Sequence, residues 1–159
     1  MPRKVKILAQ KLEKLNPHAS SFESYRLSFS IYQKTTQLNR KFKRTTTPKI
    51  HNFLVNIGLK EKGLCYDFSD ALYSYLKKQN YPHFRFHFVV SNRGEYLFEH
   101  NALVISCPQK KILEGLLIDA WRDSHHLYVV EIEEDKGYRW VHRQKRCFNS
   151  ISNVPLTVN

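Results

Sequence analysis

The spacing of apolar residues changes at Pro82, and that change limits what the chain can fold into. Before it the spacing is helical. Val5, Leu8, Leu12 and Leu15 share one helical face, and Pro17 closes the segment. Phe22, Tyr25, Phe29 and Tyr32, extended by Leu38 and Phe42, form a broad stripe expected to face a core. The cluster RKFKR, Arg40 to Arg44, follows where cations suit the helix dipole. Thr47 and Pro48 read as the N-cap and first residue of a short helix that stops near Gly58. Leu64, Phe68, Leu72, Tyr75 and Leu76 then line one face of a helix opening at Cys65, with Lys77, Lys78 and Asn80 as stop signals.

After Pro82 the period is two. In FRFHFVV, Phe84, Phe86, Phe88 and Val90 share a face while Arg85 and His87 take the other. SNRGE is a turn, and further strands are expected at Tyr96–Ile105, within Leu113–Trp121, at Leu127–Ile132 and from Tyr138 to Val141. Helices followed by an antiparallel meander make an α+β fold. The expected organisation is a single domain over residues 1–159. It divides into a helical part (1–60), an α+β core (61–145) and a loose polar tail (146–159).

With 42% hydrophobic and 13% aromatic residues, the chain is too apolar to stay disordered. Its formal net charge of +12 suits an acidic polymer as a partner. No apolar run approaches the ~18 residues of a membrane span. The N-terminal MPRKVKILAQKLEKL interleaves its apolar residues with lysines, so it lacks the apolar stretch of a secretory signal. A cytoplasmic location is expected, or an exported or periplasmic one if a leader has been removed. Cys65, Cys107 and Cys147 are an odd set without close pairing, which points to reduced thiols. His83 and His87 have no nearby carboxylate or cysteine to complete a metal set, and His125 and His126 are adjacent. No dinucleotide, P-loop or zincin motif is present, so neither a metal nor a cofactor is expected.

Three residues sit where their chemistry is favoured. Cys65, after Gly63, opens a helix whose N-terminal N–H groups stabilise a thiolate. His100 interrupts an apolar strand, on the face opposite Glu99 and Asn101. Asp119 is embedded in LLIDAW, where an unpartnered carboxylate is costly. A cysteine near a helix start is by itself most often a small buried hydrophobe. An imidazole that takes the thiol proton and is oriented by the carboxylate satisfies all three placements together. That solution requires the helix to pack its N-terminus against the face bearing His100 and Asp119. Asp67, turned about 200° from Cys65, is a first-turn dipole partner.

GLCYDFSDALYSYLKK, EHNALVI and LLIDAWR, in that order, resemble the transglutaminase-like branch of the papain-like cysteine enzymes. The likeness covers residue 64 to about residue 140. It implies a papain-like core with the nucleophile at a helix N-terminus and Cys65, His100 and Asp119 as the triad. That family commonly has His-Ala-Trp and Asp-Pro-Thr, where this chain has HNALV and DAW. Papain-like peptidases place an oxyanion glutamine six residues before the nucleophile, and that position here is Leu59. The donor is therefore expected from backbone N–H groups near Cys65, or from Asn56 or Asn52. Tyr66 and Trp121 are candidates for lining a substrate groove.

The resemblance implies a cysteine hydrolase or acyltransferase acting on peptide, protein or peptidoglycan-like substrates. The alternative is a catalytically inactive basic binding module of the same fold that holds a polyanion or a protein partner.

Overall fold

A computed structural model describes residues 2–41, 65–93, 99–123 and 126–143. Two helices come first: α1, Pro2–Leu15, and α2, Ser21–Lys41. A third, α3, spans Cys65–Lys77. The sheet follows, with β1 at Arg85–Ser91, β2 at His100–Ser106, β3 at Leu116–Asp123, β4 at His126–Glu131 and β5 at Val141–His142. All pairings are antiparallel, in the order β4-β3-β2-β1-β5. The fold is α+β. The expected helix near Thr47–Gly58 and the tail from residue 146 lie outside the described residues.

Helix α1 buries Val5, Leu8, Leu12 and Leu15, the face its spacing marks out. Ser20 caps α2 by accepting the Glu23 N–H at 3.1 Å. The aromatic stripe of α2 is a correction, however: Phe22 is 76% exposed, and Tyr25 and Phe29 are exposed as well. Of the expected stripe, Leu38 is buried, Tyr32 is half-buried against the core and Phe42 lies outside the described residues. Leu38 shares the buried face with Leu27 and Ile31, among Ser24, Ser28, Ser30 and Thr35. Small hydroxyl residues allow close approach to α1, and one of them bonds across to it. The Ser28 hydroxyl donates to the Val5 carbonyl at 2.8 Å.

Helix α3 lies on one face of the sheet. Its Phe68, Leu72 and Leu76 pack with Phe84, Phe88, Leu103, Ile105, Leu116 and Ile118 in one apolar cluster. Each such buried side chain contributes about 1.5–3 kcal/mol. The opposite face carries Val89, Ala102, Val104 and Leu117, covered by Ile132, Tyr138 and Trp140.

That cover depends on the topology. After β4 the chain makes a short 3-10 turn, Ile132–Glu134, and must reach the far edge, where β5 pairs with β1. Residues 135–140 make that passage across the sheet. The expected fifth strand is thus shorter than its pattern suggested, because Tyr138 to Trp140 form the covering segment instead. β3 begins inside the expected stretch, after a 3-10 turn at Ile112–Glu114 that holds Leu113, and runs two residues past Trp121. Gly115 follows this turn, and a Cβ there would collide with the Ile105 carbonyl and the Val104 side chain.

Candidate active site

Alternation along β2 sends successive side chains to opposite faces. Val104 pairs with Leu117 in the register, so Ala102 and His100 share the face of Leu117 and Asp119. The His100 Nε2 lies 2.5 Å from Asp119 Oδ2, with side chains 3% and 1% exposed.

A β-bulge between Asp119 and Asp123 shapes the carboxylate's surroundings. The chain curls there so that the Trp121 and Arg122 N–H groups both donate to Asp119 Oδ1 at 3.0 Å. Arg122 folds back to donate through Nε to Asp119 Oδ2 at 3.1 Å. Its other two nitrogens grip Asp135 at 3.1 and 2.6 Å. Trp140 Nε1 also donates to Asp135, at 2.8 Å. The guanidinium lies over the Tyr128 ring at 4.2 Å and the Tyr138 ring at 4.6 Å.

Imidazolium, carboxylate, guanidinium and carboxylate therefore alternate in a chain whose charges cancel. This is what makes burying them tolerable. Burial acts to lower the pKa of His100, but its interactions with Asp119 and Cys65 overcome that and raise it from 6.5 to about 9. Burial acts to raise the pKa of Asp119, yet His100, the Trp121 N–H and Arg122 hold it below the ordinary value. The rings of Trp121, Tyr138 and Trp140 surround the imidazole at 5.2, 4.8 and 5.4 Å. Its Nδ1 is buried without a hydrogen-bond partner among the described residues.

Cys65, 4% exposed, begins α3. The helix does not pack against the His100 face, as sequence reasoning required. It packs on the other face, and the thiol meets the imidazole around the start of β2. There the Cys65 thiol donates to the Glu99 carbonyl at 3.7 Å, and Asn101 Nδ2 donates to Cys65 Sγ at 3.6 Å. Ser69 Oγ donates to the Cys65 carbonyl at 3.0 Å, tying down the first turn of the helix.

The structure thus brings Cys65, His100, Asp119 and Trp121 together. Tyr66 is half-buried in the first turn of α3, and Asn52 and Asn56 lie outside the described residues. Sequence reasoning missed Asp135, Tyr138, Trp140, Asn101 and Arg143. The one available signal was Asn101, a polar residue entering an otherwise apolar strand. Cys107 donates to the Leu15 carbonyl at 3.6 Å and serves packing. His83 is held by Glu23 at 2.7 Å and His87 by Ser106 at 2.8 Å, so the two do not share a site. A cavity of about 560 Å³ is bordered by Tyr138 and Trp140 with Lys136 and Arg139. Two of the rings around His100 are therefore also walls of that cavity.

No helix among the described residues is long and apolar enough to cross a membrane. No family model, curated protein or solved structure matches this chain.

Proposed function

We propose that the chain is a thiol-dependent acyl-transfer enzyme, a cysteine hydrolase or acyltransferase similar to the transglutaminase-like branch of the papain-like enzymes. One observation carries the reading. Three residues far apart in sequence meet as a sulfur, an imidazole and a carboxylate bonded to that imidazole at 2.5 Å.

In this reading the thiol proton of Cys65 passes to His100, the thiolate Sγ attacks the substrate carbonyl carbon, and the carbonyl π pair moves to oxygen. Collapse of the adduct expels an amine, which takes its proton from His100, and leaves an acyl-thioester on Cys65. Water or a second amine then attacks the thioester, gives a proton to His100 and releases the thiolate. Asp119 keeps its bond to Nε2 throughout, so Nδ1 is the nitrogen that exchanges the proton. Peptide, protein or peptidoglycan-like amides are the substrate class.

A second reading is a basic binding module of the same fold that does not turn over. The enclosure of Cys65, His100 and Asp119, all under 5% exposed, and the +12 charge favour it. Its mark would be strongly salt-dependent polyanion binding.

The deciding experiment is the rate of Cys65 alkylation by iodoacetamide from pH 5 to 10, in the native chain and in His100→Ala. The enzyme reading expects labelling that persists at pH 6 and falls at least tenfold in His100→Ala. Superimposable profiles would overturn it.

A further inference from the structure

The sulfur of Cys65 has a second attendant besides His100. Alternation along β2 turns Asn101 toward α3, opposite Val90 of β1 and 3% exposed. Its amide is held from both ends. Arg143 Nη1, just beyond β5, donates to Asn101 Oδ1 at 2.5 Å. Asn101 Nδ2 donates to Glu99 Oε1 at 3.2 Å and to Cys65 Sγ at 3.6 Å. Arg143 Nη1 also donates to Glu99 Oε1 at 2.9 Å, closing a ring of three side chains. A cation at the amide oxygen and a carboxylate at the amide nitrogen fix which way the group faces. Flipping it would set oxygen against carboxylate and nitrogen against guanidinium.

We propose that Asn101, clamped by Arg143 and Glu99, is a catalytic residue of the nucleophile, its amide N–H selecting the ionised form of Cys65. This rests on the acyl-transfer reading and adds to it the group that stabilises the sulfur. In the thiol form the S–H points to the Glu99 carbonyl at 3.7 Å, and the Asn101 N–H meets a weak neutral acceptor. On ionisation the proton passes to His100, the bond to the carbonyl is lost, and the Asn101 bond becomes charge-assisted, roughly twice as strong. Arg143 has a second effect: it neutralises the Glu99 carboxylate, which would otherwise repel a thiolate nearby.

Among the described residues, the charged and titratable groups facing this cluster are Glu99 and His100 at the start of β2, Tyr138 from the covering segment and Arg143 beyond β5, with Asp119 and Arg122 of β3 behind the imidazole and Asp67 in the first turn of α3.

The test is the same iodoacetamide profile on the full chain, extended to Asn101→Ala, Asn101→Asp and Glu99→Gln. Asn101→Ala is expected to label about three- to tenfold more slowly than the native chain at pH 6, with rates converging above pH 9.5. Asn101→Asp, nearly isosteric, is expected to label more slowly still, and it carries the test if the alanine variant fails to fold. Glu99→Gln is expected to label at pH 6 at least as fast as the native chain. A purely structural Asn101 would instead raise labelling at every pH by loosening the thiol, and that outcome overturns the proposal. So do Asn101 profiles that superimpose on the native one while His100→Ala still slows labelling, which leaves the acyl-transfer reading intact. If His100→Ala changes nothing, it is that reading that fails.

Discussion

Asp119 gives its Oδ2 to two cations at once, His100 Nε2 at 2.5 Å and Arg122 Nε at 3.1 Å, in a site where it is 1% exposed. Folding therefore favours the protonated imidazole and the ionised carboxylate together, which makes stability depend on pH in two separate windows.

In the alkaline window, His100 has a folded pKa of about 9 against 6.5 for a free imidazole. Its contribution is complete below pH 6.5, shrinks as pH rises, and is gone above about pH 9. The shift corresponds to a stability loss on the order of 3 kcal/mol. Urea midpoints should fall across that range in the native chain and stay level in His100→Gln. In the acid window, the depressed Asp119 contributes fully above the ordinary value of 3.8, and its contribution disappears as pH falls below that.

Arg122 is expected to matter more for stability than a surface arginine does. Arg122→Met leaves Asp119 and Asp135 without the cation they share, and removing one partner of a buried pair costs about 3–5 kcal/mol. With the Arg122 side chain 20% exposed, the low end of that range is expected in urea unfolding. Asp135→Asn keeps a hydrogen-bond acceptor for Arg122 and Trp140 and should cost clearly less.

Gly115→Ala should destabilise the chain by about 3 kcal/mol, the upper part of the usual overpacking range. The new methyl meets the Ile105 backbone in the central strand, and backbone cannot swing away as a side-chain tip can. Thermal unfolding of this variant measures the effect directly.

The two faces of α2 give opposite expectations. Leu27→Ala, at a fully buried position, should cost about 2–5 kcal/mol. Phe22→Ser, at a 76% exposed position, should fall within about 0.5 kcal/mol of the native chain. The reverse ranking in chemical denaturation would restore the aromatic stripe as the core face.

That helix shows why part of the fold was legible in the sequence and part was not. For α3 and β1, apolar residues recur with one period and the buried face follows from it. On α2 the large aromatics and the buried face diverge, because packing close to α1 favours serine over bulk. Cys65, His100 and Asp119 were conspicuous as reactive groups set in apolar runs. Their helpers were not. Asp135 sits in a charged turn and Arg143 near a basic stretch, and only the passage of residues 135–140 across the sheet gives them partners. The side of the sheet that α3 occupies was also beyond local pattern, because it depends on how far the thiol can reach around the end of β2.

The alternation of β2 has a consequence for how the chain finds its own alignment. Ala102, Leu103, Val104 and Ile105 are apolar on both faces, so a slip of one residue against β1 and β3 would leave the hydrophobic pattern almost unchanged. It would, however, exchange the directions of His100 and Asn101, setting the imidazole among the partners of the amide and the amide against Asp119. The polar residues at the head of the strand thus act as alignment marks for the middle of the sheet. A variant that replaces both with apolar residues would remove the chemistry, and it would also leave the central strand free to slide.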